Sequence, residues 1–254
     1  MDIFQAIILG IVQGITEWLP VSSSGHLVIF QHFFRIEQAV AFDLMLHLGS
    51  LIVVVIFFWK QIKELFFGVL RFEKKSLEYL AFMILATIPI AIVGYFFKSR
   101  IEALFSSLAA VGFALLFTSL LLFMSRYPKE KKGKLDYPKS MIIGIFQAIA
   151  ILPGVSRSGS TISSGMMLGI KKEDVAQFSF LIFIPAILGA AVIELGNITS
   201  FPDVGLMILG TVVSAIVGYF SLKLLMNIIK KDKFSWFSLY CLILGIVVLI
   251  VAYA

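Results

Sequence analysis

Two short stretches place reactive side chains at spacings that chemistry can use. The first, GIVQGITEWLPVSSSGH from Gly10 to His26, carries Gln13 and Glu17 four residues apart, then Ser22, Ser23 and Ser24, then Gly25 and His26. On a helix, a four-residue spacing puts Gln13 and Glu17 on one face, and both lie on the arm that leads into Pro20. Acid, hydroxyl and imidazole are the groups that nucleophilic attack with proton transfer needs. Glu17 is therefore the first choice for an essential acid, either holding a cation or acting as base. Ser23 is the candidate nucleophile, with direct attack by water as the competing route. His26 is its proton partner or the acid for the leaving group.

The second stretch, PGVSRSGST from Pro153 to Thr161, sets Arg157 among Ser156, Ser158, Ser160 and Thr161, with Gly154 and Gly159 letting the backbone curl close to a ligand. In composition this is a phosphate cradle. An arginine at membrane depth needs an anion, and its planar fork grips a phosphate at two points. From the first stretch, Ser22, Ser24 and Gly25 face the same anion, backed by the amides of a helix expected to start near Leu27. Ordinary readings stand beside these. Serine patches also occur as plain helix caps, and Glu17 with Arg157 can be a purely structural ion pair. Asp43 and His47, four apart, either flank a cavity mouth or serve as a capping acid and an interfacial histidine. Glu194, near a helix end, reads as structural.

These groups sit in a very apolar chain. Its 254 residues are 60% hydrophobic and 14% charged, with a mean hydropathy of +1.02, far above a soluble domain. The chain reads as an all-α integral membrane protein, because lipid cannot satisfy backbone amides and the apolar runs are continuous, not alternating as in a barrel. Full-length runs cover 40–59, 78–97, 106–125, 176–196, 204–225 and 236–254, which predicts six transmembrane helices. Two further segments, 3–34 and 141–170, are each broken at the reactive stretches. Their arms are too short to cross about 30 Å of hydrocarbon, so each reads as a re-entrant helix-loop-helix hairpin.

The halves repeat. Residues 10–25 and 144–159 agree at eight of sixteen positions, and 83–96 and 207–220 at ten of fourteen. One hairpin plus three spans is an odd number of crossings, so the second repeat, 135–254, is expected upside down relative to the first, 1–130, in a single membrane domain. In the alignment Glu17 falls opposite Ile151, Ser23 opposite Arg157 and His26 opposite Ser160. The scaffold is duplicated while the chemistry is divided, acid and nucleophile on one hairpin and anion clamp on the other.

With the N-terminus outside, the loops at 60–77, 126–139, 171–172 and 223–233 face the cytoplasm and hold 17 of the 21 lysines and arginines. The net charge of +6 thus reads as orientation in the membrane, and no nucleic-acid partner is expected. The opening MDIFQAIILG lacks the basic start of a cleaved signal and is expected to be retained. The single cysteine, Cys241, excludes an intramolecular disulfide and reads as a small buried hydrophobe.

QGITEWLPVSSSGH and LPGVSRSGST together resemble the two signature motifs of the bacterial undecaprenyl-diphosphate phosphatase family, also called bacitracin-resistance proteins. The resemblance extends over essentially the whole chain, including FDLMLHLGS and the repeated AIVGYF. It implies an enzyme that hydrolyses undecaprenyl diphosphate, among other polyprenyl diphosphates, to undecaprenyl phosphate and inorganic phosphate, recycling the carrier of cell-wall precursors. It implies six spans and two re-entrant hairpins in an inverted repeat, in the bacterial plasma (inner) membrane, with the site open to the outer face. The family's acidic motif falls on Gln13 and Glu17, its serine and histidine on Ser23 and His26. Its arginine motif falls on Pro153, Gly154, Ser156, Arg157, Ser158 and Thr161. Members commonly need a divalent cation, Mg2+ or Ca2+, for which Glu17 with substrate phosphate is the expected metal ligand here. Many relatives carry a second glutamate where this chain has Gln13. A polyprenyl-phosphate flippase or secondary transporter using the same midplane site is the alternative function, with membrane lipids as surroundings and a homodimer as one possible assembly.

Overall fold

The computed structural model describes residues 1–36, 40–127, 133–195 and 203–254, with residues 129–132, the lysine-rich part of the stretch expected to link two repeats, outside that set. The described residues form twelve α-helices. In chain order they are α1 (Ile3–Thr16), α2 (Ser23–Phe34), α3 (Val40–Phe57), α4 (Trp59–Leu70), α5 (Lys74–Phe96) and α6 (Lys98–Leu104). There follow α7 (Leu108–Met124), α8 (Tyr137–Ile149), α9 (Arg157–Met167), α10 (Lys172–Leu195), α11 (Val204–Lys230) and α12 (Phe237–Tyr253).

Short polar residues cap the starts of α1, α2, α7, α8, α9 and α11. Asp2 caps α1 in a reciprocal capping box with Gln5, Asp136 caps α8, and Asp203 caps α11. Ser22 caps α2 by accepting from the Gly25 amide, and Ser156 caps α9 in the same way through Gly159. Consequently α2 begins at Ser23, not near Leu27. The serines and His26 occupy its first turn, because the Ser22 hydroxyl satisfies an amide that would otherwise be orphaned.

Five helices are long and apolar enough to cross a membrane: α3, α5, α10, α11, and the last helix with the 3-10 turn before it. The sixth expected span becomes α7, 17 residues long, which Ser107 caps at its start. Counted as one broken span with α6, from which it bends by 95°, it gives a total of up to six. Prolines 89 and 185 lie inside α5 and α10, tolerated because neighbouring helices can re-satisfy freed backbone groups. Residues 60–77, expected as a loop, contain α4. Its exposed Trp59, Phe66, Phe67 and Leu70 alternate with Lys60 and Lys63, the pattern of a helix lying in the membrane interface.

The arms on either side of the breaks hold 14 and 12 residues (α1, α2) and 13 and 11 residues (α8, α9). At 1.5 Å rise each is roughly 17–21 Å long, well short of the hydrocarbon core. Pro20 and Pro153 supply the breaks by removing an amide and disfavouring helix in the residue before.

Without a hydrophobic force between helices in lipid, small residues that admit close backbones carry the packing. A Cβ on Gly10 would lie 2.8 Å from the Gly210 carbonyl, and one on Gly14 the same distance from that of Ser214, so α1 and α11 run side by side in the same direction. A Cβ on Gly144 would meet the Ala86 carbonyl at 2.6 Å, while Tyr137 packs on Phe82, so α8 and α5 are parallel too. Gly10 and Gly144 are equivalent in the first repeated stretch, and Gly210 and Ala86 in the second. α3 lies parallel to α11, with Thr211 and Ser214 donating to the carbonyls of Met45 and Leu46, each at 3.1 Å. α7 and α12 are antiparallel: Gly112 faces Leu249, and Ser119 donates to Ser238 O at 2.7 Å. The largest apolar cluster gathers under the first break, where Trp18 meets Phe180 and Phe183 edge-on, both at 5.6 Å.

Candidate active site

The two breaks touch. A Cβ on Gly25 would sit 2.9 Å from the Gly154 Cα, so glycine there lets the loops close on each other, and the Gly159 Cβ position lies 3.4 Å from Pro20 Cβ, at contact distance. Gly154 has φ +97, a left-handed conformation that suits glycine, and faces the Val111 carbonyl. Thr118 of α7 pins this loop, donating to Gly154 O at 2.9 Å and accepting from the Ser156 amide at 3.0 Å. Ser158 Oγ reaches across to the Leu19 carbonyl at 3.4 Å. The capped starts of α2 and α9 thus lie at one junction, both contributing helix N-terminal amides to it.

Glu17 is the centre of the junction. Its Oε1 accepts from the Arg157 guanidinium at 2.8 Å. Its Oε2 accepts from Ser23 Oγ at 2.5 Å and from Gln13 Nε2 at 3.1 Å. His47 Nε2 stands 3.5 Å from the same oxygen. Gln13 also donates to Ser50 Oγ at 3.3 Å, which holds its amide on this face. Arg157 donates to the Ser179 carbonyl at 3.3 Å and lies 4.3 Å above the ring of Phe183, so its plane is held on two sides. A serine hydroxyl donating to a carboxylate is the arrangement in which the carboxylate can take the proton as the oxygen attacks.

Glu17, Gln13, Ser23 and Arg157 are therefore brought together. His26 is not placed on Ser23: its Nδ1 bonds the Ser22 carbonyl at 2.8 Å and its Nε2 the Tyr240 hydroxyl at 2.7 Å. Ser22 Oγ pairs with Ser24 Oγ at 3.2 Å, and Ser156 Oγ with Ser158 Oγ at 3.3 Å. Thr161 is turned to Ser179 Oγ at 2.6 Å, whereas Ser160 Oγ is buried with no partner among the described residues. Asp43 accepts from Gln31 at 2.8 Å, and its backbone carbonyl takes His47 Nδ1, so His47 reaches the site while the Asp43 side chain turns elsewhere. Glu194 pairs with Lys98 at 3.0 Å, and Cys241 is fully buried with its sulfur 3.6 Å from Pro20 O, as their structural readings required. Sequence reasoning missed Tyr240, Thr118, Ser179 and Phe183. Each is a common residue in an apolar helix, and only the i, i+4 pair Asp43 and His47 gave a local signal.

Among the described residues no group of three or more His, Cys, Asp or Glu side chains could hold a metal. The Glu17 carboxylate and the Ser23 hydroxyl form an oxygen set, while Gln13 turns its Nε2 to that carboxylate and leaves Oε1 buried with no partner among the described residues. That set fits a hard cation taking its remaining ligands from phosphate and water, as magnesium does.

The chain matches the family model described as bacitracin resistance protein BacA over residues 6–247. It is 41% identical over 267 residues to an undecaprenyl-diphosphatase of Bacteroides fragilis, covering 99% of each chain. An undecaprenyl-diphosphatase of Halothermothrix orenii is 41% identical over 262 residues, with 99% of each chain covered, and one of Methanobrevibacter smithii 42% over 273, covering 98% of this chain and 97% of its own. With both signature stretches inside the matched region and meeting in space, this chain belongs to the BacA bacitracin-resistance family.

Proposed function

We infer that this protein is an undecaprenyl-diphosphatase, a membrane enzyme that releases inorganic phosphate from undecaprenyl diphosphate and leaves undecaprenyl phosphate. In doing so it recycles the lipid carrier for cell-wall synthesis and confers bacitracin resistance. Family membership and the named relatives support the activity. One observation carries the mechanism: Ser23 Oγ on Glu17 Oε2 at 2.5 Å, with Arg157 on the other oxygen of the same carboxylate.

Ser23 Oγ attacks the terminal phosphorus in line and its proton passes to Glu17. The bond from that phosphorus to the bridging oxygen breaks, and undecaprenyl phosphate departs. The departing undecaprenyl phosphate takes the proton from Glu17, which as a carboxylate again accepts one from the water that hydrolyses the phosphoserine and returns it to Ser23 Oγ as inorganic phosphate leaves. Arg157 and the amides at the starts of α2 and α9 neutralise charge on the phosphoryl oxygens. Gly154 and Gly159 let those amides approach, and the hydroxyls of Ser22, Ser24, Ser156, Ser158, Ser160 and Thr161 surround the anion. Glu17, Gln13 and Ser23 would hold a divalent cation, Mg2+ or Ca2+, which when bound adds positive charge against the phosphate oxygens. The prenyl chain leaves the site between helices into lipid.

The fold reading is an inverted-topology repeat with two re-entrant hairpins. The crosswise pairing of repeated stretches, Gly10 on Gly210 and Gly144 on Ala86, supports it. The basic residues of α4, the 171–172 turn and the end of α11 support a site open to the outer face. Labelling intact cells with an impermeant thiol reagent tests that orientation. Ser106→Cys should react from outside and Lys75→Cys only after permeabilisation; the reverse pattern overturns it.

The test of the activity is phosphate release from undecaprenyl diphosphate by the purified chain in detergent, with and without chelator. The native protein should turn over, and Glu17→Gln and Arg157→Lys should fall by at least about a hundredfold. Full activity in both variants would remove the site. A pure transporter would release no phosphate, since detergent leaves no compartments to transport between.

A further inference from the structure

We propose that Tyr240, 214 residues from His26 in sequence, is a positioning residue for the nucleophile, acting through His26 on the Ser22–Ser23 backbone. The chemistry of three atoms supports this. The Ser22 carbonyl can only accept, so the His26 Nδ1 that lies 2.8 Å from it carries the ring proton. A neutral imidazole then has its lone pair at Nε2, and there the Tyr240 hydroxyl lies at 2.7 Å and donates. The rings are nearly coplanar in orientation, 6° apart with centroids at 5.8 Å, so tyrosine fixes both the tautomer and the tilt of the histidine.

What the histidine holds is strained. Ser22 has φ 68, a left-handed conformation rare outside glycine, which persists only where its surroundings over-determine it. Its carbonyl accepts from both the His26 amide, at 3.2 Å, and His26 Nδ1. Its hydroxyl accepts from the Gly25 amide at 3.2 Å. The residue that follows is Ser23, whose hydroxyl is aimed at Glu17. A chain of contacts thus runs from Tyr240 to His26 Nε2, from Nδ1 to the Ser22 carbonyl, and from that turned peptide to the Ser23 side chain. His26 is 5% exposed and Tyr240 46%, so the tyrosine closes the outer side of the ring, where lipid offers Nε2 no donor.

The placement has a counterpart. Thr118, on the last span of the first half, pins the second break through Gly154 and Ser156. Tyr240, on the last span of the second half, pins the first. Each break is braced by the closing helix of the other half.

This inference rests on Ser23 as the attacking group, and its test is kept separate from the test of that reading. Tyr240→Phe retains the ring and loses only the hydroxyl. We would measure kcat and KM for phosphate release from undecaprenyl diphosphate in detergent, with the melting temperature, in the native chain and in His26→Asn, whose side-chain amide nitrogen can replace Nδ1 on Ser22. In the native background kcat should fall roughly five- to fiftyfold, with KM within about twofold and the melting temperature unchanged. In His26→Asn the same substitution should have no further effect. Native kcat in Tyr240→Phe, a loss carried by KM alone, or an equal loss in both backgrounds would each overturn the proposal. If instead Ser23→Ala turns over normally, the serine-attack reading itself fails, whatever Tyr240→Phe shows.

Discussion

Glu17 and Arg157, 140 residues apart in the chain, form an ion pair of 2.8 Å across the junction of two helix breaks, with side chains 5% and 13% exposed. Burying one charge without the other costs about 3–5 kcal/mol, whereas replacing both with neutral groups is often tolerated. Arg157→Met alone should therefore lower the melting temperature in detergent clearly. The double variant Glu17→Gln, Arg157→Met should recover most of that loss while remaining inactive. If the double variant melts no higher than the single one, the pair is not coupled in the way its geometry implies.

Serine attack leaves a covalent mark. With substrate labelled on its terminal phosphate, rapid acid quenching of the native chain should trap label on Ser23. Ser23→Ala should trap none and lose at least about a thousandfold in turnover. Near-normal turnover in Ser23→Ala would hand the attack to water.

Two glycine substitutions should behave oppositely. Gly154→Ala puts a methyl at φ +97 and 2.6 Å from the Val111 carbonyl, so it should cost about 1–3 kcal/mol of stability and displace the anion loop. Gly189 in α10 has nothing within 4 Å of its Cβ position, and Gly189→Ala should be neutral or stabilise by up to about 1 kcal/mol. Equal melting temperatures and equal activities for the two would contradict the packing described.

Gln13→Glu removes the amide that donates to Glu17 Oε2 at 3.1 Å and sets a second carboxylate beside the first. Two carboxylates either share a proton or hold a cation between them, and with a cation bound here activity should become more strictly cation-dependent. Chelator should inhibit this variant several-fold more strongly than the native chain. An unchanged chelator titration would argue against a cation at these oxygens.

Much of the site was legible because its residues are costly where they lie. Glu17, Arg157 and the serines stand out in an apolar chain, since lipid does not tolerate such groups without a task. The breaks were legible from Pro20 and Pro153. α4 was hidden by its charge, which read as a loop because lysines in an interfacial helix and in a connection look alike. The sequence puts the start of α2 near Leu27 and the structure puts it at Ser23, because serines both cap helices and continue them for a turn.

Sequence by itself determined the membrane class, the broken segments and which residue types the site contains, because burial cost and helix-breaking chemistry are local properties. Only the tertiary structure decided how those residues are wired. Ser23 is turned to Glu17 and not to His26, His47 reaches the same carboxylate from α3, and Tyr240 from the last helix occupies the far side of the histidine. These are contacts between helices distant in sequence, set by where glycines let backbones close upon each other, and no local spacing encodes them.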